Sequence, residues 1–527
     1  MAQEIKVDIL VIGTEAAGAK AGIEAQLAGA DVLMVTKGQM GRSGTTLMAG
    51  RGVQAPIGHM DPRDSPEVFF KDVILGGEYL NNQKLVERLC RLAVTEVTKL
   101  EDWGAKFLKK GDKFVQYMTP GATYPRSLHP VGMGGVQFRK ALVSETKRRK
   151  VPVLEDIFIT SLLVSDGQVA GALGVNLRDG QTVLFKAKKT VLATGGCPQI
   201  YRMTDASRDA TGDGMSLAYR VGAELMDMEF QQFFPYACYT PPYEMAQFTG
   251  GMRYFINAYF YNSAGERFML RYYGKEKALR TETARAIYLE AKHGFGSPHG
   301  GTYVSINHLP DNLIDDWIKR EKPYYLNKLE KVGIDIRKDA VECGPACHYS
   351  MGGVRVDENC ETNVPHLYAI GEVASGMDGA ERIDGGPAIT WCLTMGDVVG
   401  KDAAKVVKDM DWLEPDAEQL GQEQAKIGAL WNRTSGVKGF EITKKVKDLM
   451  YDNCSLVKEK HEMEQALAAM QALRTDAVPR LCVSSPSRVY NKGFMEAWEA
   501  DYMAELSEMV IQASLMREES RGSHYRT

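Results

Sequence analysis

The sequence predicts a mixed α/β fold: a doubly wound nucleotide-binding domain, interrupted by a capping insertion and followed by a helical C-terminal domain. Three observations predict it. The apolar run from Val7 to Ile12 meets Gly13 and an alanine-rich stretch before a second apolar run, Asp31 to Val35, which is the strand, glycine turn, helix and strand that open a Rossmann-like domain. The segment from about Tyr236 to Glu342 is rich in Tyr, Gly and Pro and has little periodicity, as a separate cap would. Beyond Gly400 the pattern is mostly helical. At 527 residues the chain exceeds what one hydrophobic core usually organises, so cooperating units are expected. The boundaries read from these shifts are 1–235 and 345–400 for the two parts of the nucleotide-binding domain, 236–344 for the cap and 401–527 for the helical domain.

Taken in order, the first turn reads Gly13-Thr14-Glu15-Ala16-Ala17-Gly18. The outer glycines of a GxGxxG fingerprint are present, but Glu15 stands where the middle glycine normally lets the backbone approach a pyrophosphate. A carboxylate there repels phosphate unless it turns away toward a ribose or solvent. From about Val151 to Ala193 short alternating runs with turn signals at Asp166-Gly167 and Asp179-Gly180 predict antiparallel strands in the same domain. Thr190 to Gly196 (TVLATGG) and Leu367 to Glu372 (LYAIGE) read as buried strands ending where the chain passes close to a cofactor, or simply as tight turns. The clearest C-terminal helix places Met495, Trp498, Tyr502, Leu506, Met509, Ala513 and Met516 on one apolar stripe, which reads as packing.

Composition narrows the function classes. With 64 Lys+Arg against 68 Asp+Glu, a net charge of -4, no global field favours nucleic acid or an anionic membrane. No run approaches the roughly eighteen apolar residues that cross a bilayer, and MAQEIKVDIL leads into a strand, so a cytoplasmic location is expected. The nine cysteines form no CxxC pair or ferredoxin-type run, so no built-in iron–sulfur cluster or metal site is expected. Cys343 and Cys347 read either as a redox couple or as small packing residues.

The chain resembles, over nearly its whole length, the flavoprotein subunit of fumarate reductase and succinate dehydrogenase, whose relatives include L-aspartate oxidase and the adenylylsulfate reductase flavoprotein. The most specific pieces are Ala210 to Gly214 (ATGDG), Asp227 to Pro235 (DMEFQQFFP), Gly265 to Met269 (GERFM), His348 to Gly353 (HYSMGG), Leu367 to Arg382, and Glu519 to Arg526 (ESRGSHYR). The resemblance implies FAD, held by Gly13, Glu15, Ala16, Ala17, Gly18, Thr36, Lys37, Ser43, Gly44, Thr45, Gly50, Thr194, Gly195, Gly196, Asp213, Gly371, Glu372, Arg382, Ala388 and Ile389. Respiratory members carry Ser-His-Thr and attach FAD through the histidine; here Ser43-Gly44-Thr45 implies non-covalent FAD and speaks against succinate oxidation.

His348 and Arg382 match the family residues that hold a substrate carboxylate, which a guanidinium can grip at two points. The family's second histidine, in QFHP, is Phe234. The proton-carrying arginine is sought before GERFM, where the matching position falls on Tyr254 with Arg253 adjacent. The family's Asn-Ser-Leu beside the flavin is Gly386-Pro387-Ala388, and proline supplies no backbone donor.

The resemblance thus implies an FAD-dependent oxidoreductase in which hydride moves between flavin and the carbon–carbon bond of a small carboxylate, with Arg253 as the acid. Its electron partner would be a separate iron–sulfur subunit. Phe234 points to a substrate with one end less polar than fumarate, such as an aryl- or alkyl-substituted unsaturated acid. The chain itself would span no membrane, which is compatible with a peripheral place on a membrane complex. Rival readings are an adenylylsulfate-reductase-like or L-aspartate-oxidase-like enzyme, or an electron-transfer subunit with no substrate of its own. Apart from the resemblance, His348 also reads as a core histidine, Arg382 as an interface arginine and Arg253 as a basic residue on a cap loop.

Overall fold

The structure, a computed structural model, describes residues 3–50, 52–240, 257–274, 276, 278–321, 329–483 and 485–527. The main sheet is built from β1 (Gln3–Ile12), β2 (Val32–Thr36), β3 (Val153–Glu155), β4 (Ile157–Ser165), β5 (Gln168–Asn176) and β6 (Thr182–Leu192) in the order β3-β2-β1-β6-β5-β4. The first three strands and β6 run parallel, with β1 between β2 and β6. β4, β5 and the first half of β6 form the antiparallel insertion expected from the turn signals. Asp166 and Gly167 both adopt positive φ (47 and 75), as a tight hairpin turn requires.

A second sheet is wholly antiparallel: β7 (Gln231–Cys238), β8 (Tyr259–Tyr261), β9 (Thr302–Ser305) and β10 (Val341–Ser350), in the order β7-β10-β9-β8. Its Tyr236, Phe260 and Val341 share a hydrophobic cluster with Ile287 and Trp317, which lie on the helices Arg280–Glu290 and Asp311–Glu321. β7 and β10 run continuously through the positions 235/236 and 344/345 read as boundaries from the sequence, so the two units are joined by paired strands. The chain then returns to the main sheet as β11 (Leu367–Ala369), parallel to the end of β6 through Thr190 to Leu192. The 11-residue β6 therefore serves two partners: its start pairs with β5 and its end with β11.

Six helices matter below: α1 (Ala16–Leu27), α2 (Gln83–Asp102), α3 (Asp213–Arg220), α4 (Arg280–Glu290), α5 (Pro387–Val406) and α6 (Lys492–Met516). α1 is small and buried along nearly its whole length, and α5 lies against it; a Cβ on Gly396 or Gly400 would meet α1 backbone at 2.8 or 2.6 Å. Between α1, α2 and α5 the fully buried Lys20 sets its ammonium among Glu24, Glu96 (2.5 Å) and Asp397 (3.3 Å). Among the described residues those three carboxylates are the group spaced like a metal cage, and Lys20 fills its centre.

One reading of the sequence is revised, and a choice between two others is decided. On α6, Trp498, Tyr502 and Leu506 are buried as the stripe predicts, but Met516 is 84% exposed and Phe494, Ala500, Met503, Val510 and Ile511 are buried as well. The helix is covered on two sides: the Tyr502 hydroxyl donates to the Thr160 carbonyl at 2.9 Å, while the helices Gly439–Asn453 and Lys460–Ala472 pack on it from the other. Cys343 and Cys347 are both buried free thiols four positions apart on extended β10. At roughly 3.3 Å per residue their backbones lie about 13 Å apart, too far for a disulfide, and burial pushes both thiols well above the ordinary range.

Candidate active site

The ends of β1, β2, β6 and β11 converge on one elongated cavity of about 510 Å³ that runs from the start of α1 to the second sheet. At its first end the turn after β1 depends on glycine. Gly13 has φ 112, and a Cβ there would stand 2.1 Å from the Ala193 carbonyl oxygen. Ala16 and Ala17 begin α1, whose N-terminal amides suit a phosphate, although the Ala16 N–H already donates to Thr46 Oγ1 at 3.1 Å. Lys37, just past β2, donates to Thr211 Oγ1 (2.9 Å), Asp213 Oδ2 (2.8 Å) and Glu499 Oε1 (2.7 Å). Burial works against its charge, but Asp213 and Glu499 outweigh it and hold the ammonium above the ordinary lysine range. Lys37 thereby ties the cavity wall to α3 and α6.

Glu15 turns neither to solvent nor away from the wall. It packs on Gly44 and reaches Thr46, and its Oε2 is buried with no protein partner. Burial pushes its carboxyl up to about 7, with nearby Asp209 adding to the shift. Asp209 in turn accepts from the Gly44 N–H at 2.8 Å. At the middle of the cavity Thr194 and Gly195 follow β6, and Gly371 and Glu372 follow β11. Glu372 accepts from the Ser350 N–H at 3.0 Å, and burial raises its carboxyl to about 7. Gly386, with φ 96, starts α5 so close to Gly52 that a Cβ would lie 2.0 Å from the Gly52 carbonyl oxygen.

The far end gathers cations against an aromatic wall. Gln232 Oε1 on β7 accepts from Arg382 Nη2 at 2.7 Å and from Arg280 Nη1 at 3.2 Å, holding two guanidiniums around one neutral acceptor. Arg382 also lies over the Tyr349 ring at 4.0 Å and has a buried Nε with no protein partner. Arg280, at the first turn of α4, is ion-paired with Asp384 and lies 5.3 Å from the Phe234 ring centroid. His348 Nδ1 is held by the Asp205 carboxylate at 3.0 and 3.1 Å. Burial lowers its pKa, outweighing Asp205, and Arg382 and Arg280 act in the same direction as burial, so neutral imidazole is the favoured form. Phe234 stands 5.6 Å from the His348 ring and 5.4 Å from Tyr236, which stacks on Phe260.

Of the residues expected from the sequence, Gly13, Glu15, Ala16, Ala17, Thr36, Lys37, Ser43, Gly44, Thr45, Gly50, Thr194, Gly195, Asp213, His348, Gly371, Glu372, Arg382, Ala388 and Ile389 all line this cavity. Gly18 and Gly196 stand behind the lining: a Cβ on Gly18 would be 2.0 Å from the Gly13 carbonyl oxygen, and one on Gly196 2.4 Å from Glu372 Oε1. They let neighbouring wall residues close up. Arg253 and Tyr254 lie outside the described residues. The sequence reading missed Arg280, Asp205 and Gln232. Gln232 lies inside the DMEFQQFFP motif, and its position next to Phe233-Phe234 was a usable signal; nothing in KALRTETARAI marks Arg280 as facing the cavity.

The cavity fits FAD. It is long, glycine-walled and begins at a helix N-terminus, and Thr194 Oγ1 and Glu15 Oε2 are buried polar atoms on its wall without protein partners. Comparisons with known proteins agree. The FAD binding domain family model matches residues 8–387, and the fumarate reductase flavoprotein C-terminal model matches 443–527. A subunit of the fumarate reductase (CoM/CoB) of Methanothermobacter marburgensis is 35% identical, over 98% of this chain and 94% of that protein. The fumarate reductase flavoprotein subunit of Escherichia coli is 27% identical over 99% of this chain and 89% of its own length. The solved structure of Mycobacterium smegmatis Sdh1 in complex with UQ1 superposes with a TM-score of 0.90 at 33% identity, covering 99% of this chain and 89% of that one. With the glycine-walled cavity, these matches over almost the entire chain place the protein in the fumarate reductase and succinate dehydrogenase flavoprotein family, as an FAD-dependent oxidoreductase.

Proposed function

We propose that this flavoprotein reduces the carbon–carbon double bond of a small unsaturated carboxylate, using FAD bound without a covalent link and electrons drawn from a separate iron–sulfur subunit. The observation that carries the reading is the convergence of Arg382, Arg280 and His348 at the end of the FAD cavity, beside Phe234. Gly44 has no side chain through which to attach a cofactor, which supports non-covalent FAD. The free cysteines are dispersed and all but Cys392 buried, which supports electron exchange with another chain. The names of the relatives, which are subunits, support the same.

Bound FAD supplies the two-electron redox chemistry. Arg382, pinned by Gln232 and Tyr349, holds one carboxylate oxygen pair, while neutral His348, whose one N–H is spent on Asp205, lines the same end of the pocket through its Nε2 edge. Arg280 takes the proton-delivering place that the sequence assigned to Arg253. Its guanidinium is permanently charged, so each proton it gives must be replaced at once through a relay, for which its partner Asp384 is placed. Phe234, Tyr236 and Phe260 form an apolar wall where the family's second histidine would bind another polar group, so the substrate carries an aryl or alkyl substituent there. Anaerobic assays with a reduced dye donor test this. Arg280→Gln should lower kcat by at least about a hundredfold with little change in KM, and Arg382→Gln should lower kcat/KM by a similar factor mainly through KM. Unchanged rates in both variants would remove the proposal.

A further inference from the structure

Glu15 and Gly44 touch across the cavity wall. A Cβ on Gly44 would stand 2.3 Å from Glu15 Cγ and 2.9 Å from Cδ, so the glutamate occupies the volume that any side chain at 44 would need. Glu15 stands where a dinucleotide turn ordinarily has its middle glycine, at the N-cap of α1. One carboxyl oxygen is buried without a protein partner, and the Asp209 carboxylate approaches the same spot by accepting from the Gly44 N–H. We propose that Glu15 and Gly44 are a matched pair that replaces a covalent tether, with the Glu15 carboxyl acting as a neutral hydrogen-bond donor to the FAD segment at the start of α1. The proposal rests on the non-covalent reading above.

The charges around Glu15 favour this form. An ionised Glu15 would face both the FAD diphosphate and Asp209. Burial, with Asp209 adding to it and the Thr46 hydroxyl and Arg139 opposing it, leaves the carboxyl raised to about 7. From α5 the Cys392 thiol, itself pushed up to about 12 by burial, adds no charge near neutrality. The doubly esterified diphosphate of FAD has no ionisation near pH 7. A carboxyl that must be protonated to bind gives affinity that is full below its pKa and falls above it, by up to about tenfold per pH unit for one linked proton.

The test is FAD binding to the full-length apoprotein, followed by flavin fluorescence between about pH 5.5 and 8.5. The wild-type Kd is expected to be flat below about pH 7 and to rise toward tenfold per unit above it, while Glu15→Gln stays flat throughout. In a double-mutant cycle, Gly44→Ala should weaken FAD less in a Glu15→Gly background than in the wild type, because the glycine vacates the contested volume. A wild-type Kd that does not vary with pH, parallel titration of Glu15→Gln, or additive effects in the cycle would each overturn the pair. A flat wild-type curve overturns the pair even if a variant fails to fold, and the Glu15→Gln curve separates Glu15 from Glu372, whose carboxyl burial also raises to about 7 in the same cavity. Failure of the underlying reading is separately visible, since covalent FAD would stay with the protein pellet on acid precipitation.

Discussion

Phe234 and Arg280 make a contact with two consequences, because the guanidinium lies over the ring that closes the cavity. The aromatic face stabilises the cation, and in the proposed function the same ring offers the substrate no second polar anchor. Phe234→His should therefore raise kcat/KM for fumarate relative to an aryl-substituted analogue by about tenfold, equivalent to about 1.4 kcal/mol of transition-state discrimination. Steady-state kinetics with both acids measure it, and an unchanged ratio would mean that Phe234 does not set specificity. At this scale the sequence was informative where chemistry sits inside a local motif. His348 in HYSMGG and Arg382 near the end of LYAIGE…GAER could be picked out. Arg280 could not, because its neighbour Gln232 is 48 positions away and their meeting depends on how α4 packs against β7. Glu15 was recognised as anomalous, but its turn toward Gly44 is a product of tertiary packing.

Secondary elements were legible where periodicity and turn chemistry agree: β1, the β4–β5–β6 insertion with its Asp-Gly turn, and the strands β6 and β11 that lead into Thr194 and Gly371. They were obscure in the cap, where α4 is short and flanked by partner-dependent strands, and on α6, where burial on two sides erases a single stripe. The junction of α1, α2 and α5 was also invisible, since Lys20, Glu96 and Asp397 are far apart in the chain. There the buried ammonium offsets Glu24, Glu96 and Asp397, and Lys99 assists at 2.8 Å from Glu96. Lys20→Met would leave these carboxylates undercompensated in a dry interior, so a loss of about 3–5 kcal/mol is expected. Urea unfolding of the FAD-loaded protein measures it; a loss below about 1 kcal/mol would show that Lys99 and solvent suffice.

Over the whole molecule, one cavity draws walls from the main sheet, the second sheet and the start of α5. Lys37 binds Glu499 of α6 as well as Asp213 of α3, so the helical part of the chain helps shape the dinucleotide end. The second sheet brings Gln232, Phe234 and His348 to the other end on the two strands that join it to the nucleotide-binding core. None of the described helices is long and apolar enough to cross a membrane. The architecture thus runs the FAD cavity from a polar dinucleotide cradle to a cationic, partly aromatic end, where the proposed substrate would sit. The most direct test is to purify the yellow protein, reduce it anaerobically with dithionite, and follow recovery of the visible flavin band after adding fumarate or an aryl-substituted unsaturated acid. The account predicts rapid reoxidation, faster with the substituted acid, and release of free FAD on acid precipitation; a reduced flavin that no unsaturated acid reoxidises would contradict it.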